Sequence, residues 1–391
     1  MIDLNNIETA FKIKSDKDLK NAKFLFSMIK SPLMVRFLGF MSNLALKMRL
    51  PIDWAVKPTL YRHFVGGETI DECFPTMNRM FTENVRSVLD FSIEAVEKES
   101  EIDKTFQELK RSVINSGEHE AIPFSVFKPT ALTTHDVLKK VSFNIPLTSK
   151  EQTSYDNFVQ RIDALCAEAV KAGKPIMIDA EDYWFQKAID DVTEDMMLKY
   201  NKETAVVYAT LQMYRHDRLA YLRYLIKFSK QHGIITGIKY VRGAYMEKER
   251  ARALEGGYPS PIYPTKKDTD NAFNEALRIS VENCDVIHFF CGTHNDESIR
   301  ALMKYMKDKE LPNNFPNIYM SQLYGMSDNL SFNLAKAGYN VAKYLPYGKV
   351  KNVLPYLVRR AEENSSIAGQ TTRELIMLKQ ELKRRKFLTN Q

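Results

Sequence analysis

The sequence predicts an α/β protein: a (βα)8 barrel of the TIM type with a helical arm at its amino terminus. Three observations predict it. Residues 1 to about 118 carry apolar residues at helical spacing. From residue 121, short runs rich in β-branched and aromatic residues alternate with long amphipathic stretches. Each of those short runs is followed by a polar side chain. Strands of about five residues separated by helices imply parallel βα units with both sheet faces covered. In a barrel the strand ends converge on one mouth, where active sites form.

The arm comes first. NAKFLFSMIK (21–30) and FTENVRSVLDFSIEAVEKES (81–100) repeat apolar residues at helical spacing without strand-like alternation. PLMVRFLGFMSNLALKM (32–48) is the most apolar stretch, but Arg36 interrupts it and it is too short to span a bilayer. Strands are expected at FSVFK (124–128), PIMID (175–179), AVVYATLQ (205–212), GIKYV (237–241), VIHFF (286–290), NIYMSQ (317–322) and VAKYL (341–345). Helices such as SYDNFVQRIDALCAEAVKAG (154–173) and DESIRALMKYMKDK (296–309) separate them. Seven strands suit an open doubly wound sheet or a barrel with one strand unaccounted for, and the pattern favours the barrel. The expected organisation is a helical region over 1–118, the barrel over 119–370 and a basic amphipathic helix over 371–391.

The 391 residues are 44% hydrophobic and 27% charged, ordinary for a soluble globular enzyme. The net charge of +7 reads as scattered Lys and Arg on solvated helices rather than a nucleic-acid footprint. Two segments are both basic and apolar, Pro32 to Phe64 and Leu375 to Leu388. The second, LIMLKQELKRRKFL, suits either an interfacial helix or a terminal helix docked on the rest of the protein. Four cysteines without CxxC spacing argue against a disulfide framework or a zinc ribbon. The amino terminus lacks the apolar run of a secretory signal and the acid-poor composition of a transit peptide. The protein is expected in the cytoplasm or resting on the inner face of the plasma membrane.

The polar residues that close the runs are Lys128, Asp179, Gln212, Arg242, His294, Gln322 and Tyr344. Lys128 and Asp179 also suit a structural ion pair between strand ends. Lys128 alone suits a Schiff-base aldolase. His294 has no HxH or HExxH companion, so no metal is expected. No GxGxxG follows a strand, which leaves a Rossmann dinucleotide site unsupported. Tyr356, Arg359, Arg360 and Glu363 fall at i, i+3, i+4 and i+7, one face of a helix. Two guanidiniums beside an aromatic ring suit a small carboxylate; a surface ion pair with Glu363 is the plainer alternative.

Six segments follow in order: IDAEDYWFQKAI (178–189), KYVRGAYMEKER (239–250), GTHN (292–295), SQLYGMSD (321–328), YLPYG (344–348) and PYLVRRAEEN (355–364). Through them the chain from residue 121 to 370 carries a resemblance to the proline dehydrogenase family. It implies a distorted (βα)8 barrel that holds FAD non-covalently and oxidises L-proline to Δ1-pyrroline-5-carboxylate, passing electrons to a membrane quinone. By position, Arg359 and Arg360 would grip the substrate carboxylate with Lys128 beside it. Tyr344 and Tyr356 would pack on the pyrrolidine ring, Tyr344 crowding the carbon that bears the hydroxyl in hydroxyproline. Asp179 would order the substrate end, and Tyr245 would serve both substrate and flavin. The flavin would be held by Gln212, Lys239, Val241, Gly243, Ala244, Tyr245, Lys266, Thr269, His294, Asn295, Gln322, Arg360 and Glu363.

The chain departs from the family pattern at three places. Lys239 stands where one branch has Arg, Tyr240 where Leu is usual, and Pro129 where Leu follows the lysine. Tyr240 puts the ring pocket's shape in doubt, and Pro129 suggests an early end to that strand. The implied chemistry is physically coherent: cations around an amine disfavour its protonated form, and fixing the carboxylate fixes which ring carbon faces the oxidant. Alternatives are the aldolase and a non-enzymatic basic module at a membrane surface. The number of subunits is left open.

Overall fold

A computed structural model describes residues 2–31, 53–93, 96–366 and 370–389. The apolar stretch 32–48 lies outside the described residues. Eight strands form one parallel, nearly closed barrel sheet: β1 (Val85–Phe91), β2 (Ser125–Phe127), β3 (Ile176–Ile178), β4 (Val207–Gln212), β5 (Thr236–Val241), β6 (Ile287–Gly292), β7 (Ile318–Leu323) and β8 (Val341–Tyr347). Their order is β1-β8-β7-β6-β5-β4-β3-β2. All seven expected strands form. The eighth is β1, within a stretch expected to be helical. Its burial is nearly continuous along the strand, so no alternation of apolar and polar residues marks it in the sequence.

Contacts divide the chain into two compact units. One comprises Met1–Ser92, Gln322–Ala337 and Lys343–Gln391; the other comprises Ile93–Ser321 and Gly338–Ala342.

In the second unit, helices are started and stopped by local chemistry. Thr148 with Glu151 and Thr265 with Asp268 form capping boxes at the helices Ser149–Ala172 and Lys266–Glu282. Gly173, Gly233 and Gly257 end three helices in the left-handed conformation. Asn201 ties the starts of β4 and β5: its amide donates to Val207 O (2.9 Å) and Ile235 O (2.8 Å), and its Oδ1 accepts from Val207 N (2.7 Å). Phe124 meets the rings of Tyr208, Phe290 and Tyr319 edge-on at 5.2, 5.1 and 5.0 Å, an aromatic plug drawn from separate strands.

In the first unit, Phe11, Phe26, Phe64, Leu357 and Leu378 belong to one apolar core. The same unit holds a buried charge cluster that the sequence did not announce. Asp328 meets Lys14 at 2.6 Å and Lys343 at 2.8 Å, and Lys343 also donates to Met326 O. Glu374 accepts from Ser327 N at 2.7 Å. Burial would raise Asp328, but the two ammoniums outweigh it and hold the carboxyl well below its usual range. Burial pushes Glu374 up and Lys343 down.

Candidate active site

Strand alternation selects which side chains face the barrel's interior. Tyr208 lies in the plug, so Thr210 and Gln212 share its face; the register pairs Tyr208 with Met177 and Gly237, and Lys239 with Phe290. The same parity carries Val126 to Lys128, Met177 to Asp179 and Gly237 to Lys239. These three charged groups meet above the plug. Asp179 Oδ2 lies 3.9 Å from Lys128 Nζ, and Lys239 Nζ donates to Asp179 Oδ1. Their side chains are 11%, 13% and 6% exposed for Lys128, Asp179 and Lys239. One carboxylate and two ammoniums are thus gathered in a site sheltered from water, where fields act strongly.

Beside the triad, the Oε1 of buried Gln212 and the Oγ1 of Thr210 have no hydrogen-bond partner among the described residues. Buried polar atoms are normally satisfied, so an unmet acceptor here suits a ligand that brings an N–H. Val241 closes β5 level with Gln212, and its carbonyl accepts from Met213 N at 2.8 Å. Gly243 follows at φ +130°, and a Cβ there would lie 2.5 Å from the Tyr214 ring. No other residue fits this turn, which sets the path of exposed Ala244 and half-buried Tyr245.

The remaining expected residues fall into place unevenly. His294 follows β6, half-buried. Asn295 caps the helix Asp296–Asp308, accepting from Glu297 N and Ser298 N. Lys266 is exposed and paired with Asp270, and Thr269 is buried one turn further along. Gln322 lies off the inward register, its Oε1 accepting from Ser331 Oγ at 2.7 Å. Tyr344 is buried on β8 in the first unit. In that unit the helix Val350–Ser366 carries buried Tyr356 and Arg360, the guanidinium 5.1 Å from the ring centre, and half-buried Arg359. The Glu363 side chain is outside the described residues.

Two of the departures resolve. Tyr240 points away from the interior: it is fully buried and its hydroxyl lies 2.6 Å from Ser280 Oγ on the helix Lys266–Glu282. It therefore does not shape the ring pocket. Pro129 opens a short 3-10 turn, Pro129–Ala131, and β2 ends at Phe127 as expected.

Arg242 is likewise an outward-facing anchor. It donates to Asp270 (2.8 Å), Thr293 Oγ1 (2.5 Å) and Ser298 Oγ (2.9 Å), and its guanidinium lies 4.4 Å from the centre of the Phe273 ring. Among the described residues no group of three His, Cys, Asp or Glu is arranged to hold a metal ion.

A sequence profile described as "Proline dehydrogenase" matches residues 73–373. The chain is 33% identical over 322 residues to the carbapenem antibiotics biosynthesis protein CarD of Pectobacterium carotovorum subsp. carotovorum, covering 82% of this chain and 83% of that one. It is 31% identical over 396 residues to the mitochondrial proline dehydrogenase 1 of Dictyostelium discoideum, covering 90% and 69%. Its fold matches the crystal structure of proline utilization A from Bdellovibrio bacteriovorus inactivated by N-propargylglycine, with a TM-score of 0.72 at 21% identity. That match covers 92% of this chain and 38% of the solved one, so the chain spans little more than a third of it.

Proposed function

The chain belongs to the proline dehydrogenase family, and we propose that it oxidises L-proline to Δ1-pyrroline-5-carboxylate with non-covalent FAD, delivering the electrons to a membrane quinone. The observation that carries this reading is Asp179 held between Lys128 and Lys239 at the strand ends, beside the unmet acceptor of Gln212. FAD, when bound, supplies the hydride acceptor. By resemblance, the residues that would hold it include Gln212, Lys239, Val241, Gly243, Ala244, Tyr245 and His294, with Lys266, Thr269, Asn295, Gln322, Arg360 and Glu363. The orphaned acceptor and the glycine-only turn are what such a group requires of the protein.

Asp179 fixes both ammonium groups, so their positive charge has a set location. That charge favours a substrate carboxylate and disfavours a protonated substrate amine, leaving the nitrogen lone pair available. Arg359 and Arg360 are assigned to the carboxylate, Tyr344 and Tyr356 to the ring.

The family match favours this reading over a Schiff-base aldolase that uses Lys128. Purified protein should show flavin absorption that bleaches when proline is added anaerobically. Trans-4-hydroxyproline should bleach it far more slowly, because Tyr344 crowds the substituted carbon. Colourless protein that borohydride couples to a carbonyl substrate through Lys128 would replace this reading with the aldolase.

A further inference from the structure

Glu249 sits in the first turn of the helix Met246–Gly256, four residues after Tyr245, and is fully buried. Its Oε1 accepts from Tyr183 N at 2.5 Å, while its Oε2 has no hydrogen-bond partner among the described residues. Lys248 and Arg215 are the cations beside it, and the Nη1 of Arg215 is itself buried without a partner among the described residues. Lys248 binds Asp182 Oδ2 at 2.8 Å, and Arg215 binds Asp217 through Nε at 3.0 Å and through Nη2. Asp182, adjoining Tyr183, also leaves its Oδ1 buried and without a partner among the described residues. Two buried carboxyl groups with unmet oxygens are costly as a pair of anions. A proton on one of them turns an orphaned acceptor into a donor.

We propose that Glu249 acts as a positioning residue that holds its contact as a neutral carboxylic acid. It ties the loop after Asp179 to the helix that begins behind Gly243 and Tyr245, and it loosens that tie when it ionises. The pH range follows from the surroundings. Burial pushes Glu249 up to about 7; Asp182 adds to this, while the Tyr183 N–H, Arg215 and Lys248 oppose it. Burial moves Tyr214 and Tyr258, the other groups it faces, upward and away from neutrality. Because its folded value lies above the ordinary 4.5, the contribution to stability is fully present below 4.5 and is lost as pH rises through about 7.

The ionisation stands on this geometry alone, whereas its effect on substrate rests on the proposed proline oxidation. Trp184 adjoins Tyr183, is 5% exposed and reports on the loop; Trp54 is the second of two tryptophans and is 80% exposed. In full-length Trp54→Phe protein, Trp184 emission and its acrylamide quenching should titrate with a midpoint near 7. Adding Glu249→Gln should abolish that titration. The melting temperature relative to the Gln variant should fall between about pH 4.5 and 7 and level off above. The KM for proline should rise severalfold over the fluorescence transition, with kcat little changed, and Gln should flatten it. A pH-independent Trp184 signal, or a Gln variant less stable at every pH, would overturn the proton on Glu249. A titrating signal with a flat KM would overturn the positioning role. A titrating signal in protein that does not oxidise proline would overturn the functional reading and leave the ionisation standing.

Discussion

Arg359 and Arg360 are where a single side chain tests most of the proposed chemistry. Hydrogen bonds to charged groups contribute about 1.5–3 kcal/mol. Replacing either by Met should therefore lower kcat/KM for proline about tenfold to a hundredfold, mostly through weaker binding. Arg360→Met should also lower the flavin-to-protein absorbance ratio, which Arg359→Met should leave alone. Steady-state kinetics and an absorption spectrum read both effects, and near-normal efficiency in both variants would remove the carboxylate clamp. At this scale the sequence was legible where a charge closes an apolar run and shares the plug's face, as Lys128 and Asp179 do. Arg242 closes a run in the same way yet turns outward to Asp270 and Ser298. A strand end alone does not disclose which face its last residue takes. Glu249 was missed for another reason: in a helix rich in Glu and Lys it reads as one more solvated charge.

At the scale of elements, strands were legible wherever a turn and a polar residue bracketed an apolar run. β1 was hidden because burial along most of its length erased the alternation. The helix Gln370–Thr389 admitted two readings, and its packing decides much between them. Leu375, Met377 and Leu378 are buried in the first unit's core, so most of the apolar face is already used. Exposed Ile376, Phe387 and Leu388, with Lys379, Lys383 and Lys386 on the same helix, are what a membrane would meet. No described helix is long and apolar enough to cross one. Binding to anionic vesicles should therefore weaken with salt and in Phe387→Glu/Leu388→Glu protein, with an unchanged melting temperature. Cosedimentation reads this, and undiminished binding in the double variant would place the membrane surface elsewhere.

For the molecule as a whole, the barrel could be anticipated because its βα rhythm spans most of the chain, but the first unit's charge cluster could not. Lys14, Asp328, Lys343 and Glu374 lie far apart in sequence, and each alone resembles a surface charge. Together they are buried: Lys14 and Lys343 pair with Asp328, and Glu374 accepts from Ser327 N beside it. Removing one partner of such a group strands the others, at a cost of about 3–5 kcal/mol. Asp328→Asn should lower stability by that order, removing the carboxylate that pairs directly with Lys14 and Lys343 and leaving Glu374 as their acidic neighbour. The pH dependence has a definite sign. The two ammoniums overcome burial and depress Asp328 below its ordinary 3.8, so its contribution is present above 3.8 and lost as pH falls through the folded value. Denaturant midpoints should therefore show a full gap between the natural protein and Asp328→Asn from neutrality down to about pH 3.8, closing only in stronger acid. A gap that closes near neutrality would mean that another group supplies the stability.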